Sequence, residues 1–131
     1  MLRERIEPKW VASFRRALAL NGIASGTRAL IVAETQSRPV LQELASLALF
    51  ELEAEHATIL LPTPPQTAPV PVKSTGASNA IAGMRPVIEA LKEAEVIVDV
   101  TVDGLLHAEE WPEIEAAGAR LFVICNEHPD V

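Results

Sequence analysis

The run Ala29-Leu30-Ile31-Val32-Ala33 is apolar at every position, with the turn Ser25-Gly26-Thr27 before it and Glu34 after it. Five residues are too few for a stable helix, and a strand that is apolar on both faces has to be covered on both faces. A parallel sheet with helices on each side meets that demand, so this one segment already predicts the α/β class. Three segments of similar kind follow: Ala57-Thr58-Ile59-Leu60-Leu61, Val96-Ile97-Val98-Asp99-Val100 and Arg120-Leu121-Phe122-Val123-Ile124-Cys125. The last of these reads as a buried parallel strand.

Between the strands the apolar period changes to that of a helix. Trp10, Phe14 and Leu18 recur every four residues, with Val11 and Ala17 beside them, and Asn21-Gly22 supplies the stop, which predicts a helix from Pro8 to Leu20. Ser37-Arg38-Pro39 offers a capping side chain and a first-turn proline. From there Val40, Leu41, Leu44, Leu47, Ala48 and Leu52 carry helical spacing to about Glu55, so that His56 closes the helix where a cation complements the dipole. Further helices are expected from Pro86 to Glu95 and from Trp111 to Ala117, with a short helical piece from Leu105 to Glu109. Five of the ten prolines fall between Pro62 and Pro71, which forbids regular structure there and predicts an extended loop that continues through Lys73 to Asn79. Strand alternating with helix gives an open, mostly parallel four-stranded sheet with helices on both faces, flavodoxin-like or Rossmann-like, the first strand near the centre.

At 131 residues and 49% hydrophobic content the chain has enough apolar surface for one core, and residues 1–131 are expected to form a single domain. Eighteen acidic residues against eleven basic ones leave a net charge of −7, which repels phosphate backbones and anionic lipid. Nucleic-acid and membrane partners are therefore not expected. No apolar stretch reaches the roughly 18–20 residues of a membrane span, and the first residues lead into an amphipathic segment, so a cytoplasmic location is expected. Cys125 is the single cysteine and stands in an apolar run, which reads as a small buried thiol.

Chemistry-bearing patterns are few. The first strand-to-helix turn, Glu34-Thr35-Gln36-Ser37-Arg38-Pro39, has none of the glycines that let backbone approach a pyrophosphate, which argues against NAD or FAD. Lys73-Ser74-Thr75-Gly76 lacks the earlier glycine of a phosphate loop and does not follow a strand directly. No serine or cysteine sits in a nucleophile elbow. Asp99, Thr101 and Asp103 alternate and would share a face in extended chain, an arrangement open to a hard cation, although Asp99 accepting backbone donors and Asp103 capping the next turn is the expected reading.

Asn126-Glu127-His128-Pro129-Asp130 follows the last strand, at the carboxyl edge where open α/β sheets place their ligand sites. His128 and Asp130 alternate, and His107 lies past the third strand, so His107, His128 and Asp130 are the candidate catalytic residues. The competing reading has these side chains capping turns or lining a domain junction. No residue is assigned to a cofactor or a metal. Glu34, Asp99, His107 and His128, all at strand ends, would equally serve a free-standing small-molecule binding module. A scaffold that dimerises through an apolar sheet edge is a further alternative.

Val96-Ile97-Val98-Asp99, then Leu105-Leu106-His107-Ala108-Glu109, then Ala117-Gly118-Ala119-Arg120-Leu121, and finally Asn126-Glu127-His128-Pro129-Asp130-Val131 resemble the amino-terminal domain of one family. That family joins 2,5-dihydroxypyridine 5,6-dioxygenases, which open a pyridine ring using iron(II), with metal-dependent aminopeptidases of the aminopeptidase T type. The resemblance implies a homo-oligomeric, two-domain protein of more than twice this length, with iron(II) or another divalent metal held mostly by a carboxy-terminal catalytic domain. It carries no family metal ligand onto any residue of this sequence. On this reading the chain is an amino-terminal domain, inactive alone, whose partner is the catalytic domain.

Overall fold

A computed structural model describes residues 6–63, 80–102 and 104–124. Helix α1 (Pro8–Leu20) leads to strand β1 (Arg28–Glu34), helix α2 (Pro39–Glu51) and strand β2 (Glu55–Leu61). Helix α3 (Arg85–Lys92) precedes strand β3 (Val96–Asp99), a 3-10 turn (Leu105–His107), helix α4 (Trp111–Ala116) and strand β4 (Arg120–Val123). The four strands form one parallel sheet in the order β2-β1-β3-β4, the α/β arrangement and central β1 that the sequence predicts. Val32 marks the middle of it, with Ile59 of β2 on one side and Asp99 of β3 on the other.

Alternate side chains of the sheet enter separate cores. Ile31, Ala33, Val96 and Val98 pack with α1 and α2, whereas Val32 and Ile97 pack with α3, Leu105 and α4. That double coverage is why β3 is buried along its whole length. Helix α1 ends as Asn21-Gly22 indicates: Gly22 takes a left-handed φ of 88°, its N–H donating to Ala19 O and that of Ile23 to Leu18 O.

Four local expectations are corrected. Helix α2 stops at Glu51, because Glu53 adopts a left-handed φ of 58° while its N–H and that of Ala54 donate back to Phe50 O and Leu49 O. His56 therefore lies in β2 and not at a helix end; its ring sits 3.1 Å from Ser46 Oγ and 3.3 Å from Ala54 O. Ser37 does not cap α2; Arg38 holds the cap position, with no side-chain bond to the helix. Strand β4 is not fully buried, since it forms a sheet edge with Val123 48% exposed and Leu121 and Phe122 half-buried. The proline-rich loop falls largely outside the described residues, as do Lys73, Asp103, Cys125, His128 and Asp130.

Candidate functional site

The strand order changes direction between β1 and β3, which places two parallel strand ends side by side, and each ends in an acid. Glu34 is 2% exposed and Asp99 is completely buried, and Ser37 and Thr101 are buried beside them. Such groups survive inside a protein only when hydrogen-bonded. Here they bind the loops that leave the strands.

Asp99 accepts from Thr101 N at 2.9 Å and Thr101 Oγ1 at 2.5 Å through one carboxyl oxygen, and from Leu105 N at 2.5 Å through the other. Thr101 Oγ1 in turn accepts from Gly104 N at 3.1 Å. Glu34 Oε1 accepts from Val102 N at 3.0 Å, tying the end of β1 to the loop after β3. Ser37 closes the knot, its hydroxyl donating to Val100 O at 2.6 Å and accepting from Glu34 N at 2.9 Å. On the β2 side, Thr63 Oγ1 accepts from Gln36 N at 2.9 Å, and Thr63 N donates to Thr35 Oγ1 at 3.1 Å. The whole carboxyl edge of β2, β1 and β3 is thus cross-linked by side chains.

Burial pushes the Asp99 carboxyl above its ordinary range, and the bonds from Thr101 and Leu105 pull it part of the way back. Its hydrogen-bond partners among the described residues are dipoles, two backbone N–H groups and a hydroxyl. Asp99 accepting backbone donors is thus the arrangement expected from its place at the strand end.

His107 ends the 3-10 turn that follows this knot and is exposed, next to Leu106 at 56% exposure. The structure brings Glu34, Asp99 and the backbone leading to His107 together at one edge. It offers no position for His128 or Asp130, which lie outside the described residues. Among the described residues no three His, Cys, Asp or Glu side chains gather closely enough to hold a metal ion. Glu34 and Asp99 already spend carboxyl oxygens on backbone N–H groups, so the described residues do not fit a metal site and none is given a ligand's role.

Sequence reasoning missed the roles of Ser37, Thr35 and Thr63. Ser37 stands three residues after a strand-end acid, a spacing at which a hydroxyl closes a turn, and that was the available signal. A cleft of about 410 Å³ lies elsewhere, at the amino ends of β1 and β2, between Arg28, Glu55 and Glu93. Open α/β sheets bind ligands at the opposite edge, so the cleft is not the candidate site. No helix among the described residues is long and apolar enough to cross a membrane.

The fold is similar to the solved structure of 2,5-dihydroxypyridine dioxygenase from Pseudomonas putida, with a TM-score of 0.84 at 22% identity. The match takes in 96% of this chain and 36% of that one, so this chain spans about a third of its length. No curated protein sequence matches the chain. The profile of the family described as 2,5-dihydroxypyridine 5,6-dioxygenase matches residues 9–131, nearly all of the sequence. A four-stranded parallel sheet with that profile running through it from α1 to Val131 leaves one assignment: the chain belongs to the 2,5-dihydroxypyridine 5,6-dioxygenase family.

Proposed function

We propose that this chain serves as the amino-terminal α/β domain of a longer ring-opening dioxygenase, with the divalent metal, iron(II) by family resemblance, held by the remainder of that protein. The observation that carries the proposal is the coverage: nearly all of this chain corresponds to little more than a third of a family member. The chemistry of the site supports it. A carboxyl edge whose buried acids are committed to backbone donors is suited to hold a fixed wall and not to activate oxygen. In this role the domain shapes one side of a substrate cleft, and the chain's own residues orient the substrate and exclude water. His107, His128 and Asp130 are the groups of this sequence proposed to face that cleft.

Oxygen uptake with iron(II) and 2,5-dihydroxypyridine tests the proposal. The protein encoded by this sequence together with its downstream reading frame is expected to consume oxygen, and the chain of residues 1–131 alone is not. Turnover by the short chain at a rate comparable to the long one would overturn it. Self-association through the half-exposed β4 edge belongs to the same proposal, and light scattering that finds only monomer at high concentration would remove it.

A further inference from the structure

Strand β3 reads Val96-Ile97-Val98-Asp99, and all four residues are buried, as is Val100 after them. An apolar residue at position 99 would suit the packing better than a carboxyl, because removing a charge from water costs several kcal/mol that hydrogen bonds only partly return. Asp99 spends its bonding capacity on the loop that follows. Its two oxygens reach residues two and six positions onward, and the neighbours Ser37 and Glu34 fix Val100 and Val102 in the same way. Every described residue from Val100 to Leu105 is consequently engaged by a buried side chain of the knot, or, as Thr101 is, belongs to it.

Over-determination of this kind fixes what the loop displays. Leu105 is anchored twice, by its fully buried side chain and by its N–H on Asp99, and Ala108 is again buried. The two residues between them, Leu106 and His107, are left facing solvent at the carboxyl edge, together with Val102 at 41% exposure. We propose that Asp99 is a positioning residue whose carboxyl holds the loop after β3 in the single shape that presents Leu106 and His107 to the substrate of the longer enzyme. This rests on the reading of the chain as one wall of a dioxygenase cleft. The apolar Leu106 beside an imidazole suits a flat heteroaromatic ring that carries a hydrogen-bonding oxygen.

Asp99→Ala, Asp99→Asn and His107→Ala in the longer protein, with Leu49→Ala in the opposite core as a control for plain destabilisation, test the proposal against 2,5-dihydroxypyridine. Asp99→Ala is expected to raise KM by about tenfold or more, since small displacements of positioning groups are costly. Asp99→Asn should fall between, because its amide oxygen still accepts from one side. His107→Ala should raise KM with melting unchanged, and Leu49→Ala should lower the melting temperature with KM unchanged. A wild-type KM in either Asp99→Ala or His107→Ala overturns the proposal. Amide exchange in the 131-residue chain decides the positioning step independently of any turnover. Asp99→Ala should speed exchange at Thr101 and Leu105 far more than Leu49→Ala does, and equal acceleration in the two variants would sink it. Should the longer protein not turn over this substrate while that exchange contrast holds, the dioxygenase reading fails and the loop's anchoring by Asp99 stands.

Discussion

Asp99 and Glu53 show how much one residue decides in this fold. Truncating Asp99 to alanine leaves the buried N–H groups of Thr101 and Leu105 without an acceptor, a loss of about 2–6 kcal/mol at the cost of one to three per orphaned group. Urea unfolding of Asp99→Ala should find that loss, and Asp99→Asn should lose about half of it. The carboxyl also sets a pH dependence. Its folded pKa is raised above the ordinary 3.8, so the native state holds the proton more tightly than the unfolded chain does. That contribution is complete below 3.8 and disappears as pH rises through the folded value; Asp99→Asn should flatten the stability profile in this window. Glu53 carries a left-handed backbone at φ 58°, which glycine adopts at no steric cost. Glu53→Gly is expected to stabilise the chain by about 0.5–1 kcal/mol in the same measurement, the relief of αL strain outweighing the entropy that glycine adds to the unfolded state.

At the scale of elements, the same helix-closing motif was readable once and hidden once. Gly22 announces the end of α1, whereas Glu53 performs the equivalent turn after α2 with a residue that favours helices, so the period runs on and carries His56 into the wrong element. Strand positions are clear because short, doubly apolar runs allow little else. Whether a strand is central or at an edge depends on the order of pairing, which the run of Leu121 to Ile124 does not contain, and β4 is therefore more exposed than its composition suggests. The acids of the candidate site were legible at the strand ends; the Ser37 to Val100 link was not, because it joins residues 63 positions apart. Helices α3 and α4 are clamped by charge: Arg85 donates to Glu113 from both terminal guanidinium nitrogens, at 2.7 and 3.1 Å, and Lys92 joins at 3.1 Å. The Arg85 and then the Lys92 hydrogen bonds hold the Glu113 carboxyl down at about 2, against an ordinary value of 4.5. Its contribution is therefore complete above 4.5 and is lost as pH falls through about 2. Glu113→Gln should melt below the parent chain at pH 7 and together with it below pH 2, by a small margin given how exposed the pair is.

For the whole molecule, sheet order, strand-end acids and family membership converge on one picture: an α/β domain of the 2,5-dihydroxypyridine 5,6-dioxygenase family whose two central strands end in buried, hydrogen-bonded acids. The sheet order puts β1 and β3 together at the centre, so the carboxyl edge that ordinarily receives a ligand is here occupied by a hydrogen-bonded knot beneath an exposed Leu106 and His107. In the proposed enzyme the remaining walls of the cleft are supplied by sequence beyond this chain, the solved relative being nearly three times as long as the part matched here. The most direct measurement is oxygen consumption with iron(II) and 2,5-dihydroxypyridine, for residues 1–131 and for the protein encoded with the downstream frame. The account predicts uptake by the longer protein only; ring opening by the 131-residue chain on its own, at a comparable rate, would contradict it.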